Sequence, residues 1–406
     1  MGLARPWPGP RVGFGELRVG GEIFEARLEA LACAPEGARA LHIDLGSNAA
    51  ALARRLIRRS HPQMRFRHEM PREAVLDLMK SSGFLHLRDG GGIPDGWYRE
   101  ASAAACDFVW AEHSSTPRAV GHVSMLRSYS KSWTSHQLAT RSRHPETLEA
   151  RHHIYRLISS LPTLVEDDEA CMMIYFDRGR RWHRTFSTDF IGTMNDASHA
   201  VLTAWDRWEL EDPAAAGSVT TPDPRVTRLD GEGAAWLARH LERRLPSLCR
   251  RALDLEEGRL VTDGLSPDVQ SGGFYRRRDG FVARHKGQIV GAALMERTST
   301  EISLFNLFNL AQLFFEDSAP PDLRRAVLDA VAARYAREGV RSPVIVAPPA
   351  VLAGCEGGRY ALAETMGLMT WSARGLRQYQ YFIEDRFAQR RAELSHPGRK
   401  HHESVR

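Results

Sequence analysis

The stretch Phe281-Val282-Ala283-Arg284-His285-Lys286-Gly287-Gln288-Ile289-Val290-Gly291-Ala292-Ala293-Leu294 decides how this chain folds. Two largely apolar runs flank a polar Lys-Gly-Gln corner, which reads as strands Gly280–His285 and Ile289–Glu296 joined by a tight turn. Working outward, Gly233–Leu245 has helical spacing and precedes this hairpin. Ser303–Phe315 reads as a long apolar strand, Pro321–Glu338 as an amphipathic helix and Pro343–Ala347 as a buried strand. The order is a helix, three strands, a helix and a strand.

The same order stands earlier in the chain. Arg72–Ser82 is helical, with Val75, Leu76, Leu78 and Met79 as its apolar positions. Strands follow at Cys106–Glu112, Ala119–Arg127 and Thr134–Thr140, and Pro145 opens a helix that runs through Ile158. Cys171–Asp177 predicts a further strand and Ala197–Trp208 a further helix. Between the two stretches, ELEDPAAAGSVTTPDPR carries three prolines and a run of alanines, which suits a linker. The expected layout is an N-terminal unit over 1–68, a first repeat over 69–208, a linker over 209–228, a second repeat over 229–385 and a basic, frayed tail over 386–406. The N-terminal unit reads as β-rich, with strands in Glu22–Leu28 and Ala38–Leu45 and a helix-like Ala49–Arg59.

Composition narrows the function. The chain has 406 residues, and 55 Lys+Arg against 50 Asp+Glu leave a net charge of only +5. So small an excess, with its clearest concentrations at Arg54–Arg59 and in the tail from Arg386 and neither of them interleaving aromatic with basic residues, does not signal a nucleic-acid partner. No apolar run reaches the roughly 18–20 residues of a membrane span, and Met1–Gly21 lacks the apolar centre of a signal peptide, so a cytoplasmic protein is expected. Five widely separated cysteines without C-x-x-C spacing read as buried thiols rather than metal ligands. His152-His153 has no carboxylate or cysteine at ligand spacing, and no metal site is expected.

The hairpin 281–294, with Phe108–Glu112 and Ala119–Val123 as its counterpart, resembles the second and third strands of the GNAT superfamily of acyl-CoA N-acyltransferases. The resemblance implies an α/β fold of two GNAT-like mixed-sheet domains in tandem, spanning about 70–208 and 230–385. It implies transfer of an acyl group from acetyl-CoA or another acyl-CoA to a small-molecule amine or peptide acceptor. The family holds the coenzyme's pyrophosphate on a Gln/Arg-x-x-Gly-x-Gly/Ala loop at a helix start, where backbone N–H groups face the anion.

Both loops of this chain depart from that pattern. The first reads Arg141-Ser142-Arg143-His144-Pro145-Glu146 and has no glycine, so Arg141, Arg143 and His144 are the candidates to hold phosphate by side chain. The second reads Glu316-Asp317-Ser318-Ala319-Pro320-Pro321, whose two carboxylates oppose an anion and whose prolines lack donors. The second repeat is therefore expected to be structural. A base and an acid are needed for amine and thiolate, and Glu112, His136 and Tyr175 are the candidates in the first repeat. Two other readings compete: a degenerate pair that senses or scaffolds, binding a nucleotide or a protein partner, and a distant likeness of Asp44–Ser47 and Arg54-x-x-x-Arg58 to PilZ elements in reversed order. Acceptor identity and oligomeric state are not written in the sequence.

Overall fold

The computed structural model describes residues 12–19, 22–30, 41–44, 63–66, 69–82, 105–112, 118–141, 144–165, 169–179, 181–210, 223–266, 269–270, 273–299, 308–340, 343–355 and 360–395. Ala49–Arg59, with Arg54 and Arg58, lies outside them. The chain divides into two compact units, Met1–Met64 and Arg65–Arg406. The first contains an antiparallel sheet of β1 (Val12–Val19), β2 (Glu22–Ala30) and β3 (Leu41–Asp44), in that order, so its β-rich reading holds. The β1–β2 ladder is in register from Val12↔Glu29 to Val19↔Glu22.

The second unit is built on one twelve-stranded mixed sheet. Its first half runs β4 (Met64–Phe66), α1 (Arg72–Ser81), β5 (Ala105–Ala111), β6 (Ala119–Tyr129), β7 (Ser132–Thr140), α2 (Thr147–Val165), β8 (Cys171–Asp177), α3 (Arg181–Met194) and β9 (Ala200–Leu210). Its second half runs β10 (Val226–Arg228), α4 (Gly231–Arg244), α5 (Ser247–Ala252), β11 (Arg276–His285), β12 (Gln288–Thr298), β13 (Leu310–Phe315), α6 (Pro321–Arg337), β14 (Val344–Ala347), β15 (Tyr360–Ser372) and α7 (Ala373–Ser395). Three antiparallel strands, a crossover helix and a strand parallel to the third occur in each half. At the corner of the β11–β12 hairpin, Lys286 and Gly287 take φ of 50° and 80°. Two successive left-handed residues match the strands' right-handed twist, and glycine meets the second without strain.

The halves exchange their last strands. β9 pairs with β14 of the second half, β15 pairs with β8 of the first, and β9 and β15 pair with each other at the sheet's centre. This corrects the helix predicted over Ala197–Trp208. Val201, Leu202, Trp205 and Trp208 do carry helical spacing, but Trp205 and Trp208 enter cores on opposite sheet faces, as residues of opposite parity in a strand must. A central strand buried on both faces loses its period-two signature, which is why the pattern misled. The tail is corrected as well. α7 extends through Ser395 and packs along α2, where His152 meets Glu384 at 2.9 Å and stacks on Phe387 at 4.8 Å.

The sheet wraps round one core. β12 and β6 stand third and tenth in the strand order, seven spacings or about 34 Å apart in a flat sheet. Yet Tyr129 Oη on β6 donates to both carboxylate oxygens of Glu296 on β12, at 2.9 and 3.0 Å. The enclosed face buries Met173, Trp205, Leu294, Phe314 and Leu368 together with Leu237 and Leu241 of α4. Behind the second half, α6 covers the opposite face through Leu323, Val327, Val331 and Tyr335. Cys171, Cys249 and Cys355 are buried free thiols, and burial pushes the Cys249 thiol up to about 12, far from a nucleophile's range.

Candidate functional site

In each half the parallel pair separates before its strands end. β7 and β8 are in register only from Ser132↔Cys171 to Ser135↔Ile174, although they continue to Thr140 and Asp177. β13 and β14 part after Gln312↔Val346. Each divergence opens a wedge between the two strand ends, and a helix begins just beyond the longer strand.

In the first half the wedge leads to residues 141–147. Arg141 N–H donates to Val120 O at 2.9 Å and prolongs the β6–β7 ladder. The Arg141 guanidinium donates to Ala119 O at 2.7 Å, Ser81 Oγ at 3.2 Å and Asp77 Oδ2 at 2.5 Å, so it lies against α1. That hydrogen bond holds the Asp77 carboxyl below the usual carboxylate range. His144 Nδ1 accepts the Glu146 N–H at 3.2 Å, which leaves Nε2–H to donate to Glu112 Oε2 at 3.0 Å. Thr147 Oγ caps Arg141 O, and Trp110 Nε1 reaches Glu146 at 3.3 Å while its ring stacks on His153 at 4.6 Å. The loop is thus tied to α1, β5 and the first turn of α2.

The six predicted residues divide into two groups. Glu112 and His144 are in direct contact, although the sequence reading gave them different tasks, and Arg141 belongs to the same loop. Arg143 lies outside the described residues. Tyr175 is elsewhere: it follows Ile174 at the point of the wedge, half-buried against the enclosed core. Burial, then the neighbouring Tyr129 and Glu296, hold its phenol protonated far above the usual tyrosine range. The backbone of His136 occupies the same level of β7, opposite Ser124, which in turn faces Asp107. Glu112 stands five residues beyond Asp107, about 16 Å further along the strand direction. Asp77, Ser81, Trp110 and Glu146 were not foreseen. The i, i+4 spacing of Asp77 and Ser81 was the available signal, because it puts both on one side of α1.

The second loop is occupied by its own counter-charges. His240 Nδ1 of α4 meets Glu316 at 3.1 Å, Arg243 meets it at 2.8 Å, and Arg244 reaches Asp317 at 3.4 Å. Arg324 of α6 donates to Asp317 O at 3.1 Å and Val351 O at 2.6 Å. No cluster of three or more metal-ligating side chains exists among the described residues, and no helix among them is long and apolar enough to cross a membrane.

No family model matches the chain, and no curated protein matches it in sequence. Among solved structures it is similar to a Drosophila protein from a structural genomics programme, at 11% identity and a TM-score of 0.39, over 85% of this chain and 98% of that one. It is also similar to a tandem GNAT protein from the clavulanic acid biosynthesis pathway, at 14% identity and a TM-score of 0.35, over 74% and 95% of the two chains. A third likeness is to Saccharomyces cerevisiae N-myristoyltransferase, solved with bound myristoyl-CoA and inhibitors, at 9% identity and a TM-score of 0.33, over 74% and 77%. At these scores none of the likenesses says what this chain binds or does. The repeated order of strands and crossover helices, with a wedge in each half, gives the fold: α/β, two GNAT-like halves in tandem after a small β-rich unit.

Proposed function

We propose that this chain is an acyl-CoA-dependent N-acyltransferase whose working half is the first. The observation that carries this reading is the wedge at Ser135 and Ile174, with a basic loop at one end and a protonated tyrosine at its point. The acyl-CoA supplies the thioester. The guanidinium groups of Arg141 and Arg143 and the imidazole of His144 are the side chains proposed to hold the coenzyme's pyrophosphate. Arg141 now faces Asp77, whose side chain is 64% exposed. The Arg141 side chain itself is only 15% exposed, so an incoming pyrophosphate oxyanion has to take the place of the Asp77 carboxylate. Glu112 fixes the His144 tautomer and keeps Nε2–H in place; it is a positioning residue rather than a base, given its distance from the wedge point.

At the wedge point, attack of the acceptor amine on the thioester carbonyl forms the C–N bond and breaks C–S. The amine's proton leaves to a base, for which His136 is the candidate, and the departing thiolate takes the proton of Tyr175. The phenol's elevated pKa keeps it protonated, so it enters the reaction with a proton to give and not as a base. The second half, with its loop carboxylates paired to α4, serves as support. The acceptor is a small-molecule amine or a peptide.

Calorimetric titration of the whole chain with acetyl-CoA and a long-chain acyl-CoA tests this. Micromolar binding is expected, weakened in Arg143→Ala and Arg141→Ala. Tyr175→Phe should bind equally well but turn over about 10²-fold more slowly. Binding of neither acyl-CoA would sink the proposal and favour the second reading, a non-catalytic sensing or scaffolding protein. The threefold engagement of Arg141 by α1 and β6 is the feature that speaks for that alternative.

A further inference from the structure

A cleft of about 620 Å³ lies between α2 and α7, lined by Arg156, Arg374, Arg377, Gln378, Tyr381 and Glu384 among others. It is not part of the wedge site, because Arg156 is nine residues into α2, about 14 Å from the loop that opens the helix. Three features distinguish this cleft. Its lining holds three arginines against one glutamate, and Glu384 is already met by Arg156 and His152 at 2.9 Å each. Arg374 stands in the first turn of a 23-residue helix that has no acidic residue there, where the backbone dipole already disfavours a cation. Tyr381 is a large aromatic side chain left 70% exposed.

Arg374, Arg377, Gln378 and Tyr381 recur at helical spacing, so α7 presents two guanidinium forks, an amide and an aromatic face in one line. The platform is rigid at its base. Ser372 Oγ accepts the Gly375 N–H at 3.1 Å as the helix cap, and a side chain at Gly375 would lie 1.9 Å from His199 O.

We propose that this cleft is a second ligand site, for a nucleotide: phosphate on Arg374, Arg377 and Arg156, and the base against Tyr381. Guanidinium forks match phosphate oxygens in pairs, and an aromatic face stacks any planar base. The volume falls within the range of small-ligand pockets. The exposed ring of Tyr381 beside the arginines suits a planar base, which an acidic peptide does not supply.

The test uses the whole chain, with GDP as the probe so that the ligand is not a fragment of coenzyme A. Calorimetry should give micromolar binding that falls about tenfold or more in Arg374→Ala/Arg377→Ala and severalfold in Tyr381→Ala. Arg143→Ala should bind GDP as the parent does. The Arg374, Arg377 and Tyr381 side chains are on the surface, and unchanged melting temperatures would confirm that the variants fold. Guanosine should fail to bind, and inorganic pyrophosphate should bind more weakly than GDP. The proposal is overturned by absence of GDP binding, by equal loss in Arg143→Ala, by full binding in the double variant, or by pyrophosphate binding as tightly as GDP. Binding of an acidic peptide in place of GDP would overturn it too.

Discussion

Glu296 shows what a single residue does in this molecule. Its carboxylate is 1% exposed and accepts hydrogen bonds from Arg276 Nη2 and Arg278 Nη2, each at 2.5 Å, and from the Tyr129 hydroxyl across the core. Arg278 further donates to Leu253 O and Asp254 O, and Arg276 to Ser128 O. The cluster ties the β6–β7 corner of the first half to β11 and β12 of the second. Removing the carboxylate leaves two buried guanidinium groups without a counter-charge, so Glu296→Ala is expected to destabilise the chain by about 3–5 kcal/mol. Tyr129→Phe should cost about 1–2 kcal/mol, since only one hydrogen bond goes. Urea unfolding measures both, and a change below about 1 kcal/mol for Glu296→Ala would contradict the clasp. None of this was legible beforehand. Nothing local in Arg276-Arg277-Arg278 marks a buried charge, yet the strand turns the outer two inward and leaves Arg277, 41% exposed, at the surface.

At the scale of elements, the strands with ordinary hairpin signals were readable and the exchanged ones were not. The β11–β12 hairpin, the β5–β6 pair and the crossover helices α2 and α6 follow from periodicity and turn chemistry, which are local. β9 and β15 owe their conformation to partners more than a hundred residues away, and no window of sequence contains that information. β8 has β15 as its outer neighbour, and β14 has β9. Neither half can therefore complete its sheet alone. A chain cut within the predicted linker, as fragments 1–215 and 216–406, should give two insoluble or molten pieces when expressed singly. Coexpressed, they should copurify through a tag on either one, with a far-ultraviolet spectrum like the parent's. A soluble, cooperatively unfolding fragment 1–215 on its own would show that β15 is dispensable to β8. The wedge site shares this limit: Arg141, His144 and Glu112 could be named from the sequence, but the orientation of Arg141 toward Asp77 depends on where α1 packs.

For the molecule as a whole, two buried histidines link elements that the sheet alone does not hold, and they give the fold a pH dependence with a definite sign. His152 sits between Glu384 and Arg391 where α2 meets α7, and His240 bonds Glu316 where α4 meets the β13–α6 loop. Burial lowers both pKa values below the ordinary 6.5, outweighing the carboxylate beside each. The unfolded chain, with its histidines near 6.5, then binds more protons than the folded chain between that value and the depressed ones. Stability therefore rises with pH in that window; it is fully present above about 6.5 and is lost as pH falls through the window. The paired carboxylates of Asp77, Asp223 and Asp322 are held low and add their loss only below about 3.8, so the two effects separate on the pH axis. Urea midpoints measured from pH 7.5 to 4.5 should decline below pH 6.5. His152→Gln and His240→Gln should each flatten that decline, because glutamine keeps a donor for the carboxylate but takes up no proton. A midpoint that stays level or rises between pH 6.5 and 5 would mean that the Glu384 and Glu316 carboxylates, and not burial, set the charge of these two imidazoles.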